Sequence, residues 1–431
     1  MKQKIQIGLC GLGTVGSGVV QILQEHQEQI RYKLGCEVEV AKILVKNKDK
    51  KREYVEDPGI LTIEPADITD NPAIDIVVEV MGGLEDTYQL LERSIRNRKQ
   101  IVTANKDLMA EHGDKLFALS QEFDTDIYYE ASVAGGIPIL RSLSDGLASD
   151  KIQKVMGIVN GTTNFILTKM TDEKLSFEAV LAEAQELGFA EADPTSDVEG
   201  LDAARKMTLL ANLAFKMPVA YGDVEVAGIT SISQEDIEFA GRLGYIVKLI
   251  GIAAADDGKV EVSVEPTLLP EAHPLAQVKN EFNAVYVYGQ AVGETMFYGP
   301  GAGGLPTATA VVSDLMEVVK NIRLGVNGKA YVQPQYKTAL KDDTEKHAKY
   351  FIRVEAEDQT GAFHAVTNVF AGQDVSFAKI LQLPHTSSKT AEVVMVTHKH
   401  SKQQIENSIQ QLEQLDVVKR VISCYRVDGE D

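Results

Sequence analysis

Between Ala184 and Lys206 the chain reads AQELGFAEADPTSDVEGLDAARK, a run of acids that ends on a lysine. Asp202 and Lys206 stand four residues apart in a segment whose Leu201, Ala204, Met207, Leu209, Leu210 and Leu213 predict a largely buried helix. Residues at that spacing share one helix face, so a carboxylate and an ammonium are presented together. Gly188, Asp193, Pro194 and Gly200 interrupt regular structure just before it, which lets the loop swing Glu191 back toward the same place. An ammonium flanked by carboxylates can give a proton to a developing oxyanion while the acids hold a cationic group of a substrate. The competing reading of the same spacing is a helix-surface ion pair, worth about 0.3 to 0.5 kcal/mol.

A second group of residues suits a nucleotide. Ile5, Ile7 and Leu9 alternate as in a strand, Gly11-Leu12-Gly13-Thr14-Val15-Gly16 follows at once, and Val15, Val19, Ile22 and Leu23 then recur at helical spacing. Strand, GxGxxG and helix in that order predict a Rossmann-like dinucleotide site: the glycines allow a tight turn and close backbone approach, and the helix N-terminus receives a pyrophosphate. The second strand, near 38–45, ends in Lys46-Asn47 instead of an acid suited to a ribose hydroxyl. Lys42, Lys46, Lys48, Lys50, Lys51 and Arg52 surround a single acid, Asp49. Cations here would pair with a 2′-phosphate, so NADP is expected over NAD, with Lys46 nearest the strand end; a solvated basic loop is the other reading. Further on, an apolar strand at 74–80, the turn Met81-Gly82-Gly83 and a short strand at 101–104 lead into Asn105-Lys106, at the carboxyl edge where such folds bind ligands.

These elements sit in a chain of 431 residues, enough for two to four domains at about 150 residues each. A formal net charge of −20 argues against general binding to nucleic acid or an anionic membrane. Cys10, Cys36 and Cys424 are unclustered, so neither a disulfide nor a zinc site is expected, and a reducing cytoplasm is. No apolar run is long enough to span a bilayer.

Strand-like stretches at 245–253, 259–266 and 283–288 predict a mixed sheet covered by helices. Gly299–Thr307 reads as irregular turn before a helix at 308–322. A polar connector, 324–348, precedes strand 350–355, helix 361–371, strands 375–383 and 391–397, helix 401–412 and strand 417–425, a ferredoxin-like βαββαβ order. The expected architecture is α/β: a dinucleotide domain (1–130), an α+β substrate and dimerisation domain (131–300), a turn and helix (301–323), a linker (324–348) and a ferredoxin-like module (349–431) separable from catalysis.

The order Ala184, Gly188, Phe189, Ala190, Asp193-Pro194, Asp197-Val198, Gly200, Asp202, Lys206 resembles the signature of homoserine dehydrogenases, and TANK (103–106), EASVAGGIP (130–138) and GIVNGTTNFIL (157–167) resemble the same family. The resemblance implies NADPH-dependent, reversible reduction of L-aspartate 4-semialdehyde to L-homoserine, within threonine, methionine and isoleucine biosynthesis. It implies that Glu191 and Asp202 bind substrate, that Lys206 donates the proton with Lys106 assisting, and that Gly303 joins the glycine loop, Lys46 and Lys106 around the cofactor. A sodium ion near Glu130, Val133, Gly135 and Ile137, held partly by backbone oxygens, and a homodimer or homotetramer follow from the same likeness. Asp358-Gln359-Thr360-Gly361 resembles the ligand turn of ACT domains, which sense amino acids; Thr360 stands where proline is common, and L-threonine is the leading effector. Aspartate-semialdehyde dehydrogenase forms a thioester on cysteine, and this chain has no cysteine between Cys36 and Cys424. A dinucleotide-binding amino-acid sensor without catalysis would have no use for Lys206, Asp202, Glu191 and Lys106 together.

Overall fold

The computed structural model describes residues 2–50, 52–329, 334–384 and 389–429. The chain divides into two compact units: Met1–Ile152 with Arg205–Gly222 and Asn283–Lys337, and Gln153–Ala204 with Asp223–Phe282 and Thr338–Asp431.

In the first unit six parallel strands lie in the order Leu61–Thr62, Glu37–Leu44, Lys4–Cys10, Ile76–Glu79, Gln100–Thr103, Ile127–Tyr128. Ile5, Ile7, Leu9, Ile76, Val77, Val78, Ile101 and Val102 are wholly buried, the pattern of a parallel sheet covered on both faces. Strand order reverses between Lys4–Cys10 and Ile76–Glu79, and a doubly wound sheet opens its ligand crevice at the carboxyl end of that junction. The helix Gly304–Leu324 packs beside the helix Thr14–Glu25 so closely that a Cβ on Gly18 would lie 2.9 Å from the Gly304 carbonyl oxygen. The turn expected over 299–307 is therefore corrected. Gly299-Pro300 closes the strand Gly293–Pro300, and Gly304-Leu305-Pro306-Thr307 forms the first turn of the helix, where proline loses no hydrogen bond.

The second unit is a continuous run of strands: Ile152–Ile158, Tyr245–Asp256, Lys259–Pro270, Val418–Val427, His347–Glu357, Thr390–Thr397, Phe377–Pro384. Tyr245–Asp256 and Lys259–Pro270 form a long antiparallel hairpin, longer than its sequence pattern suggests, turned by Asp257 and Gly258 at positive φ (47° and 79°). The last four strands with the helices Ala362–Gly372 and Lys402–Leu412 make the expected ferredoxin-like module.

That module is built into the unit's sheet. Val418–Val427 pairs in parallel with Lys259–Pro270, setting Arg426 beside Thr267. Arg353 is 5% exposed; it grips Glu392 with Nε and Nη2 (3.0 and 2.8 Å) and reaches Asp236 with Nη1 (3.1 Å). Asp236 belongs to the capping box of the helix Gln234–Arg242 and also accepts from Ser423 and Tyr425. The 324–348 segment, whose residues 330–333 lie outside those described, ends tied to the same sheet by Glu345 to Lys259 and Lys346 to Glu225. Residues 349–431 therefore share a sheet edge and a buried arginine with the strand Lys259–Pro270 and the helix Gln234–Arg242.

Candidate functional site

The nucleotide edge starts with two glycines that admit no other residue. Gly11 has φ +102° and a Cβ there would sit 2.9 Å from the Val80 carbonyl oxygen; a Cβ on Gly16 would sit 2.2 Å from the Gly11 oxygen. A Cβ on Gly13, by contrast, would meet no other residue within 4 Å beyond its chain neighbours. The helix Thr14–Glu25 has no side-chain cap and no acid in its first turn, so no side chain of its own competes for its N-terminal N–H groups, which suit a phosphate. Gly303, at φ +116°, is the N-cap of the helix that places Gly304 against Thr14, which sets it beside the glycine loop.

Glu79, which the sequence reading did not single out, organises the neighbouring loops. Its wholly buried carboxylate accepts from the N–H groups of Met81 and Gly82 (2.8 and 3.0 Å) and from the Thr103 hydroxyl (2.5 Å), and burial pushes its pKa up. Thr103 accepts from the Asn105 N–H, while Asn105 caps the helix Lys106–Glu122 through Leu108 N–H (3.0 Å) and donates to the Gly83 carbonyl (2.7 Å). Lys106 thus starts a helix whose entry angle is fixed by three buried polar groups. An ion pair between Asp107 and Arg205 (3.0 Å) ties the first turn of that helix to the helix Leu201–Phe215, which carries Lys206.

Lys46 and Lys48 are exposed at the end of the second strand. Arg52 instead turns its guanidinium onto the Asn47 and Lys50 carbonyls (2.7 Å each), and Lys42 donates to the Gly59 carbonyl (2.9 Å). These two shape the loop. Lys51 lies outside the described residues.

On the substrate side Lys206 is 9% and Asp202 3% exposed, one helical turn apart. Asn160 joins Asp202 to a second acid: its Nδ2 donates to Asp202 Oδ2 (2.9 Å) and to Asp197 Oδ1 (2.7 Å). Its Oδ1 meanwhile caps the helix Gly161–Glu173 by accepting from Thr163 N–H (2.9 Å). Neither Asn160 nor Asp197 was picked out as functional, although Asn-Gly-Thr-Thr at the end of an apolar strand is a helix-start signal. Glu191 stays exposed on its loop, where its carbonyl accepts from Gln185 (3.1 Å).

The residues named for sodium form a buried bend. Ala134 and Gly135 are both left-handed (φ 53° and 50°), and a Cβ on Gly135 would lie 2.4 Å from the Gly301 oxygen. Both oxygens of Glu130 receive N–H groups, from Leu140 and Arg141 (2.7 and 2.8 Å), and the Ile137 carbonyl accepts from Ile139 N–H (2.8 Å). Asp314 backs the bend, accepting from Glu130 N–H and from Arg141 (2.8 and 2.7 Å); burial first, then the Glu130 charge, raises it to about 7. Among the described residues no group of three or more His, Cys, Asp or Glu is arranged to hold a metal.

The family model described as homoserine dehydrogenase matches residues 138–316, that for the homoserine dehydrogenase NAD binding domain matches 11–130, and the ACT domain model matches 350–417. The homoserine dehydrogenase of Bacillus subtilis (strain 168) is 58% identical over 99% of this chain and 98% of its own length. This chain belongs to the homoserine dehydrogenase family. The crystal structure of a homoserine dehydrogenase from Thiobacillus denitrificans superposes with TM-score 0.93 at 39% identity, covering 99% of this chain and 98% of that one. A hyperthermophilic archaeal homoserine dehydrogenase in complex with NADPH superposes with TM-score 0.62 at 25% identity over 73% of this chain and 97% of its own. As a homoserine dehydrogenase the chain is an NAD(P)-dependent oxidoreductase acting on a CH–OH group, which leaves the non-catalytic sensor without support. No helix among the described residues is long and apolar enough to cross a membrane.

Proposed function

We propose that Lys206 is the proton donor in the reduction of L-aspartate 4-semialdehyde, with NADPH as the preferred cofactor. The observation that carries this is the buried Lys206 one turn from Asp202, whose carboxylate is oriented by Asn160. When bound, the nicotinamide supplies a hydride to the aldehyde carbon, and the new C–H bond leaves an alkoxide. The Lys206 ammonium transfers its proton to that oxygen, giving the hydroxyl of homoserine. Lys106, at the head of its helix, orients the substrate oxygen and assists the transfer. Asp202 and Glu191 bind the substrate ammonium, Glu191 from its loop and Asp202 from the helix. The glycine loop, with Gly303 beside it, holds the pyrophosphate, and Lys46 meets the 2′-phosphate.

Replacing Lys206 with Ala lowers kcat by about 10² to 10⁴, the range for a positioned acid, while leaving the NADPH dissociation constant little changed. Near-normal turnover in a chemistry-limited assay would remove Lys206 from the role.

For sodium, the oxygen donors available in the bend suit a hard cation. The carbonyls of Val133 and Gly135 are its principal ligands in this reading, with Ile137 and Glu130 contributing oxygens that already receive N–H groups. A higher thermal midpoint in sodium than in lithium chloride, absent in Glu130→Gln, would support it. A homodimer or tetramer is proposed through the strand Gly293–Pro300 and its turn, where Val292, Met296 and Tyr298 expose apolar surface; light scattering tests it. L-Threonine acting through the ACT module, and a reducing cytoplasm that keeps the buried Cys10 and Cys36 as thiols, complete the reading.

A further inference from the structure

Within the second unit, three cations and three acids line a cavity of about 190 Å³ that the catalytic reading leaves unused: Lys346, Lys402 and Arg426 against Glu225, Glu261 and Glu265. Its walls are the strand Lys259–Pro270 with its partner Glu225–Val226 on one side and the ACT module on the other. Two of the cations are already committed, since Lys346 and Lys402 both bind Glu225, the latter at 2.8 Å.

Arg426 is different. It is 8% exposed, and its Nε donates to Asp428 (3.2 Å). Its Nη1, however, stands 3.7 Å from Glu261 and 3.8 Å from Glu265, beyond hydrogen-bond reach of either. A buried guanidinium fixed by one edge and held just short of two carboxylates leaves donors and acceptors facing a shared space. Glu261, Ser263 and Glu265 alternate along one strand and so present one face to it. Burial pushes the Glu265 pKa up, against the lowering effect of Arg426 and of a hydrogen bond from the Ser263 hydroxyl (2.9 Å).

We propose that this cavity binds a free α-amino acid with a small side chain, its carboxylate on Arg426 and its ammonium between Glu261 and Glu265. The lining charges balance, so a net anion such as a phosphate or a net cation would leave one set opposed. A zwitterion satisfies both, and a guanidinium matches a carboxylate in geometry as well as charge. The volume admits a molecule of that size and excludes a nucleotide. The site lies beside Tyr350, near the start of the strand His347–Glu357, whereas the ACT turn at Asp358 follows its far end, roughly 25 Å away at the strand rise per residue. The inference rests on the reading of the tail as an effector module but moves the ligand from the turn to the seam with the substrate region.

The test is calorimetric titration of the intact protein with L-threonine, L-valine and L-methionine, with N-acetyl-L-threonine and L-threonine amide as controls that each lack one charge. Binding should require both charges and weaken at least tenfold in Glu265→Gln and in Arg426→Gln, with basal kcat unchanged in the former, and should survive Asp358→Ala. If Arg426→Gln fails to fold, Glu265→Gln and Lys402→Gln carry the comparison, the second being a milder loss at the rim. Binding that persists in the cavity variants and disappears in Asp358→Ala overturns the cavity while keeping the tail as a sensor. Absence of heat from every probe at millimolar concentration overturns both.

Discussion

Replacing Asn160 with Ala separates what a buried amide does for the fold from what it does for catalysis. The side chain caps the helix Gly161–Glu173 and bridges Asp197 to Asp202. Loss of the cap costs about 1 kcal/mol. Each hydrogen bond to a carboxylate contributes about 1.5 to 3 kcal/mol, the lower end applying to Asp197, which is half-buried and can be rehydrated. The total expected for Asn160→Ala is about 3 to 4 kcal/mol, less than the sum because the cavity can admit water. Asn160→Ser keeps an oxygen for Thr163 N–H and should recover about 1 kcal/mol of that. In both variants Asp202 loses the donor that fixes its carboxylate, so kcat/KM for homoserine should fall about 10²-fold, the effect of a misplacement near 1 Å. Denaturant unfolding followed by circular dichroism gives the first quantity and initial rates give the second. A loss of only about 1 kcal/mol in the Ala variant, with kcat/KM unchanged, would refute the bridge and leave Asn160 as a helix cap.

Three further perturbations have defined outcomes. Lys46→Glu should lower kcat/KM with NADPH about tenfold more than with NADH, an energy near 1.4 kcal/mol; an unchanged ratio moves attention to Lys48. Lys248 is 2% exposed, donates to Val278 and Asn164 (2.6 and 2.9 Å), and burial lowers its pKa to about 7. The unfolded chain, with a lysine near 10.4, then binds more protons between about pH 7 and pH 10, so stability falls as pH drops across that window and levels off below about pH 7, where both states carry the charge. Lys248→Met should flatten that dependence in thermal scans. Truncation after Lys346 removes Arg353 from Asp236 and uncovers the edge of the strand Lys259–Pro270 at Thr267 and Leu268, and breaking the buried pair alone costs about 3 to 5 kcal/mol. The truncated protein should unfold at lower temperature and aggregate; full activity with an unchanged midpoint would contradict this.

Features governed by local spacing could be read directly from the residues. Ile5, Ile7 and Leu9 before three glycines announce a strand and turn, and the apolar stripe around Asp202 and Lys206 announces a helix because its period is intrinsic. What escaped depends on partners distant in sequence. Glu79 looks like a stray acid in an apolar run until Thr103 is folded against it, and Asn160 looks like a turn residue until Asp202 arrives. The helix start at Gly304 was hidden by glycine and proline, which signal a break unless another helix, here Thr14–Glu25, packs on the turn they form. Arg353 reads as one charge on a strand; only the sheet brings Glu392 and Asp236 to it.

The position of the strand Val418–Val427 sets a timetable for the growing polypeptide. It pairs with Lys259–Pro270 on one side and His347–Glu357 on the other, yet leaves the ribosome long after both. Until then the edge of Lys259–Pro270 at Thr267 and Leu268 has its backbone hydrogen-bonding groups unmet, in a segment rich in Val and Leu. Such an edge is a template for pairing between nascent chains, and the long-range closure that removes it is slow. Yield in a cell should therefore depend on chaperone capacity and synthesis rate more steeply than the stability of the finished molecule would suggest.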